Sequence, residues 1–406
     1  MSSKKWLIAF FATVLLIGAG VVGFNYLMDP FGVFRNPLLE WPSYEMTVNP
    51  RTAKFTYLQQ HAQEYDSYII GGSSTSSYPT EQLNRYFNAR FYNLIMYGSD
   101  MLDVEQFSAW LLDNCQVKNL VVNMYIESAL TYNTVSHPLS FAMPPELTGE
   151  NPLAFYSRFL LMDPRHSVDK LRAMGEDTYM TQPFDVFNEQ TGAYDKKVRD
   201  AEGIGPMEDY LEAYPVFADY PKYSQSMSEA AISGALDSLA AIRDLCAERG
   251  VNLVVVCAPV YHEYLDCFDR AQAEDFYTRL AQVTPYWDFT YSSVSFEPRY
   301  FYDEGHFRNC VGEMVLARMF GDESVYVPED FGAYVTAETV QAHLAGMAYT
   351  DPLPAEDYTA QVPVLMYHSV APGGQRLHHH NPRAVPGAHR RPVPGGLYRR
   401  HPRPAL

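Results

Sequence analysis

Cysteine is scarce. The 406 residues hold 5 (Cys115, Cys246, Cys257, Cys267 and Cys310), an odd number without a CxxC pair, so neither a zinc ribbon nor a dense disulfide framework is expected. Basic residues are also few: 30 Lys and Arg stand against 48 Asp and Glu, a net charge of −18. Phosphate backbones are held by clustered cations, so this balance excludes nucleic acid as a partner. Internal repeats are missing, which sets aside solenoids and propellers. What is present is a 47% hydrophobic and 14% aromatic chain, enough to fill a sizeable core and to exclude global disorder. The length accommodates two or three domains, or one large domain with appendages.

The longest apolar run lies at the amino end. Lys4 and Lys5 precede residues 6–28, WLIAFFATVLLIGAGVVGFNYLM, which carry no charge. At about 1.5 Å per residue this run reaches about 34 Å, enough to cross a hydrocarbon core of about 30 Å. It is longer than the apolar stretch of a signal peptide and passes into Asn25-Tyr26 and Asp29-Pro30 without an A-x-A site, so an uncleaved single-pass anchor is expected. With positive charge before the span and only Arg35 close behind it, the amino terminus is expected in the cytoplasm and the rest outside the cell membrane.

The remaining chain divides into a Pro-rich aromatic stalk (29–60), a main domain (61–325) with a Tyr- and Pro-rich insertion (128–225), a linker (326–361) and a tail (362–406). The main domain alternates strand-like runs (67–70, 91–96, 119–124, 252–257, 284–289) with helical ones (101–113, 228–249, 310–320). Each β-rich run breaks into Gly, Ser or Pro, which is the pattern of parallel strands feeding loops. An α/β fold with a parallel sheet is expected, with ligands beyond the carboxyl ends of the strands. The insertion, with Tyr210, Tyr214, Tyr220 and Tyr223, reads either as a sugar-binding lid or as a satellite core. The tail changes composition: residues 375–406 carry seven Arg and five His but no Lys, Asp or Glu, which cannot build a core.

Two segments carry chemistry. IIGGSSTSS (69–77) puts hydroxyls after a strand and before a helical segment, where free N–H groups and partial positive charge stabilise an oxyanion. FYDEGHFRN (301–309) supplies Asp303 and His306 as D-x-x-H, a carboxylate able to orient an imidazole as general base toward a serine.

Gly72-Ser73-Ser74 after one apolar strand, NLIMYG (93–98) after the next, and a late D-x-x-H resemble the SGNH (GDSL-type) hydrolase superfamily over residues 60–325. The likeness is nearest to its membrane-anchored members, the D-alanyl transfer protein and polysaccharide O-acetyltransferase relatives. It implies a three-layer α/β/α flavodoxin-like domain and O-acyl hydrolysis or transfer on cell-envelope polysaccharide or an acylated glycan, with neither cofactor nor metal. Aligned residue by residue, Ser74 is the expected nucleophile, His306 the base and Asp303 its partner. Gly98, Ser73 and Asn123 are the expected oxyanion and substrate-binding residues. The sequence departs from the family where an Asn donor belongs: the third strand reads NLVVNMYIES, with Asn123 inside it and Glu127 beyond. A non-catalytic role beside a membrane acyltransferase or glycan synthase is the other expectation. Residues 362–374, VPVLMYHSVAPGG, resemble the first strand of NodB-type polysaccharide deacetylases, and the tail is expected to be an out-of-frame product of that fused domain.

Overall fold

A computed structural model of the chain describes residues 3–34, 49–130, 138–173, 186–188, 190–195, 204–221 and 223–347. The expectations for residues 35–48 and 362–406, and for parts of the insertion, lie outside the described residues.

Six strands form one sheet in the order β10-β7-β6-β3-β1-β2. They are β1 (Ser67–Gly71), β2 (Phe91–Ile95), β3 (Asn119–Met124), β6 (Asn252–Cys257), β7 (Tyr286–Asp288) and β10 (Ala333–Val335). The first five are parallel, and only β10 runs antiparallel, against β7. β1 and β2 are buried along their whole length, because helices cover a parallel sheet, and Ile, Leu, Phe and Tyr side chains supply most of their apolar surface. Each such side chain taken fully from water stabilises the fold by about 1.5–3 kcal/mol. Two groups of helices accompany the sheet. α4 (Met101–Asn114) packs on α9 (Glu229–Arg249), which packs on α11 (Arg270–Val283); α3 (Thr80–Phe87) packs on α12 (Asn309–Phe320). The strands read from sequence are all present, and Ser228 and Asp100 cap α9 and α4 as short polar side chains at helix entries do.

Two boundaries differ from the sequence reading. α2 (Pro50–His61), read there as the end of a stalk, belongs to the domain: Phe55 and Leu58 lie in the main core, and Arg51 and Lys54 are fully buried. Arg51 pairs with Asp103 at 2.8 Å and donates to the carbonyls of Tyr97 and Phe141. Lys54 donates to the carbonyls of Asn93 and Ile95, and burial pulls its ammonium well below the usual lysine range. The domain also extends past residue 325, because β10 completes the sheet edge and α13 (Val340–Gly346) packs on α11. In the insertion, Tyr210 and Tyr220 are buried in the main core with Tyr214 and Tyr223 against it.

At the amino end, α1 (Ser3–Met28) is long and apolar enough to cross a membrane. Its last turns pack on α6 (Pro152–Leu160) and α7 (Arg165–Ala173).

One contact decides how the late part of the chain meets the early part. A Cβ on Gly312, in α12, would stand 1.8 Å from the Ser77 carbonyl oxygen, so only glycine allows this backbone approach. Gly312→Ala is expected to lower stability by about 1–3 kcal/mol through overpacking, read as a lower midpoint in thermal unfolding. An unchanged midpoint would mean that α12 shifts without strain.

Candidate active site

The site is built at the carboxyl ends of β1 and β3. β1 ends at Gly71, where a Cβ would lie 2.1 Å from the Asn123 carbonyl oxygen in β3. This tight passage delivers the chain into a 3-10 turn, Ser73–Ser77, above the sheet. Opposite it stands a ribbon of two strands, β8 (Phe301–Asp303) and β9 (His306–Phe307). The Ser77 hydroxyl donates to the Phe307 carbonyl at 2.5 Å, tying turn to ribbon. Arg308, buried behind the ribbon, lies over the Tyr302 ring and donates to the Tyr210 hydroxyl at 3.2 Å; that hydroxyl in turn donates to the Phe301 carbonyl. The insertion therefore braces the ribbon from behind.

Asp303 and His306 come together as the sequence suggests. Asp303 Oδ1 lies 2.6 Å from His306 Nδ1 and also accepts the backbone N–H groups of Gly305 and His306. An oxygen accepting two N–H groups is the acceptor end of the pair, which puts the ring proton on Nδ1 and leaves the Nε2 lone pair outward. His306 Nε2 then lies 2.6 Å from a serine hydroxyl, and that serine is Ser73.

Ser74, the nucleophile expected from sequence, faces elsewhere: its hydroxyl accepts from Asn123 Nδ2 at 2.9 Å. The serine that meets His306 is thus one residue earlier than the one expected, and the cause is local. The 3-10 turn opens at Ser73, so the first hydroxyl looks across to the ribbon while the second turns back onto the sheet. Asn123 is likewise committed to the structure. Its amide nitrogen also donates to Thr75 Oγ1 at 3.1 Å, and its oxygen accepts from Tyr78 at 2.9 Å. Buried beneath the turn, it supports the serines and leaves no donor for an oxyanion.

Gly98, the other expected donor, is exposed in a left-handed turn (φ 56°) after β2. Two residues that the sequence did not single out border the same place. A Cβ on Gly72 would lie 3.8 Å from both Ser99 Oγ and the Tyr125 ring, and the Tyr125 ring lies 4.0 Å from the corresponding point on Gly305. Tyr125 thus stands between the serine turn and the ribbon. Its position immediately after β3 was the available signal, since sites gather at strand ends. Ser99 Oγ is buried without a hydrogen-bond partner among the described residues. The hydroxyl of Ser73 is deeply set (residue 3% exposed), whereas the His306 and Asp303 side chains are 23% and 40% exposed, so the site opens on the imidazole side. Burial next to Asp303 raises the Glu304 carboxyl above its usual range.

A cavity of about 410 Å³ lies elsewhere, between α2, α6 and Phe34, and no residue of this site lines it.

Compared with the models of known families and with curated proteins, the chain matches none.

Asn123→Ala removes donors from two buried hydroxyls and an acceptor from a third. It is expected to lower folding stability by about 1–3 kcal/mol, measured by urea denaturation. Unchanged stability would mean that the serine turn does not rest on this amide.

Proposed function

We propose that the protein is a serine O-acyl hydrolase or O-acyltransferase, anchored by α1 and acting outside the membrane on acylated cell-envelope polysaccharide or a related glycan. The observation that carries the reading is the hydrogen-bonded series Ser73–His306–Asp303, assembled from residues more than two hundred positions apart. Such a series has a chemical use that core packing does not require: an oriented, partly exposed imidazole beside a hydroxyl.

The strand order β2-β1-β3-β6-β7 supports the reading of a flavodoxin-like sheet, and with it the resemblance to SGNH hydrolases with the alignment moved back by one. Gly71-Gly72-Ser73 then stands in place of Gly-Asp-Ser. Retention of α1 is supported by its far end. The Asn25 amide, fully buried, donates to the carbonyls of Leu160 and Met162 and accepts from Ser167, contacts that removal of a leader would abolish.

In the reaction, Ser73 Oγ attacks the ester carbonyl carbon as its proton passes to His306 Nε2. Asp303 steadies the imidazolium through Nδ1–H. Negative charge on the former carbonyl oxygen is met by backbone N–H groups, those of Ser73 and Gly98 being the proposed donors. Collapse expels the alkoxide, which takes the proton from His306 and leaves acyl-Ser73. A second hydroxyl, of water or of a sugar, gives its proton to His306 and attacks the acyl carbon, releasing Ser73. Water yields hydrolysis and a sugar yields transfer; exclusion of water from the deep serine selects between them.

A fluorophosphonate probe on the full chain is expected to label Ser73, identified by peptide mass. Ser73→Ala should abolish labelling and turnover of an acetyl ester, whereas Ser74→Ala should keep both. Labelling at Ser74, or none at either serine, would overturn the reading; silence would leave the domain as a non-catalytic partner of a membrane acyltransferase.

A further inference from the structure

We propose that α6 lies in the bilayer interface beside α1, with Leu153 and Leu161 inserted among the lipids, so that the protein is held by a span and a platform together. The proposal rests on the reading of α1 as a span.

The first argument is length. Residues 3–20 of α1 are exposed all round, and packing against the protein begins at Val21. After Lys4 and Lys5, the unpacked apolar stretch is residues 6–20, which rises only about 22 Å. A hydrocarbon core of about 30 Å then extends about 8 Å further, to the level of Asn25, where α6 and α7 are docked. An interfacial helix buries its apolar face about 5–10 Å deep, the same depth.

The second argument is the face that α6 turns outward. Phe155 and Phe159 point into a small core with Phe31, Val33 and Met162. The opposite side carries Leu153, 81% exposed, and Ala154, with Leu161, 72% exposed, at the helix's end. Ser157, near the same side, returns its hydroxyl to the Ala154 carbonyl. Arg158 is paired with Glu150 at 2.8 Å. In water this is an unrewarded display of leucine; against lipid it is a match.

The third argument is backbone satisfaction, which lipid demands and water does not. Pro152 opens α6 without an N–H, Asn151 Oδ1 accepts from the next two N–H groups, and the Asn151 carbonyl accepts from Phe155. At the other end, the Asn25 amide covers the carbonyls of Leu160 and Met162. The span itself therefore caps the helix beside it.

The test places a dansyl amino acid by codon suppression in the full chain, reconstituted in phosphatidylcholine nanodiscs containing doxyl-lipid quencher. Positions 153 and 161 are compared with position 16, within the span, and with position 334. Tyr334 is exposed on β10, the edge strand farthest from β2. Emission at 153 and 161 is expected to be blue-shifted and quenched several-fold more than at 334, approaching position 16. Quenching at 153 and 161 equal to that at 334, with 16 strongly quenched, would overturn the platform alone. Failure of quenching at 16 would instead remove the span, and the platform with it.

Discussion

The geometry of the candidate site depends on a backbone contact that admits no side chain. Gly312 brings α12 against the Ser77 carbonyl, and His306 stands six residues before it on the ribbon that feeds that helix. Were the helix displaced by the thickness of a methyl group, the imidazole and the serine hydroxyl would no longer meet at 2.6 Å. The remaining contacts follow from that approach. Ser77 bonds the Phe307 carbonyl, Tyr78 packs edge-on to Phe307, and Arg308 fixes the ribbon from the other side. The serine turn is therefore held from below by Asn123 and from the flank by α12, which fixes the direction of the Ser73 hydroxyl toward His306.

Much of the frame was legible because parallel strands announce themselves. Apolar runs such as 119–124 and 252–257, broken by turn residues, have one reading in a chain with helical periods between them. The Asp303–His306 pair was legible from its position, after the strand-like run 284–289 and before the helical run 310–320; the structure adds that the backbone N–H groups of its turn bind the carboxylate. The choice between Ser73 and Ser74 was not legible. Both follow the same strand, and a 3-10 turn rotates neighbouring side chains by about a third of a circle, so direction is set by where the turn begins. β10 escaped notice since three residues at an antiparallel edge, with Tyr334 exposed, carry no periodic signal.

α2 shows the opposite failure, where composition misleads. A segment reading PRTAKFTYLQQH, with Arg and Lys in its first turns, resembles a solvated helix. Yet Arg51 and Lys54 are fully buried, because backbone carbonyls at and just after the end of β2 and one carboxylate replace their water. A buried charge is tolerated only where such partners exist, and they come from segments distant in sequence. No local pattern records them. The same explanation covers Asn25: an amide in the last turns of an apolar helix looks like a breach of its pattern until the carbonyls of Leu160 and Met162 are seen to receive it.

The guanidinium of Arg51 is shared among Asp103 at the entry of α4, Tyr97 in the loop that carries Gly98, and Phe141 in the insertion. Loss of one member of such a buried pair leaves a stranded charge at a cost of about 3–5 kcal/mol, whereas apolar replacement of both can be neutral. Arg51 and Asp103 are thereby bound to a common fate in inheritance: a lineage passes through drift with the two intact, or exchanges them in concert.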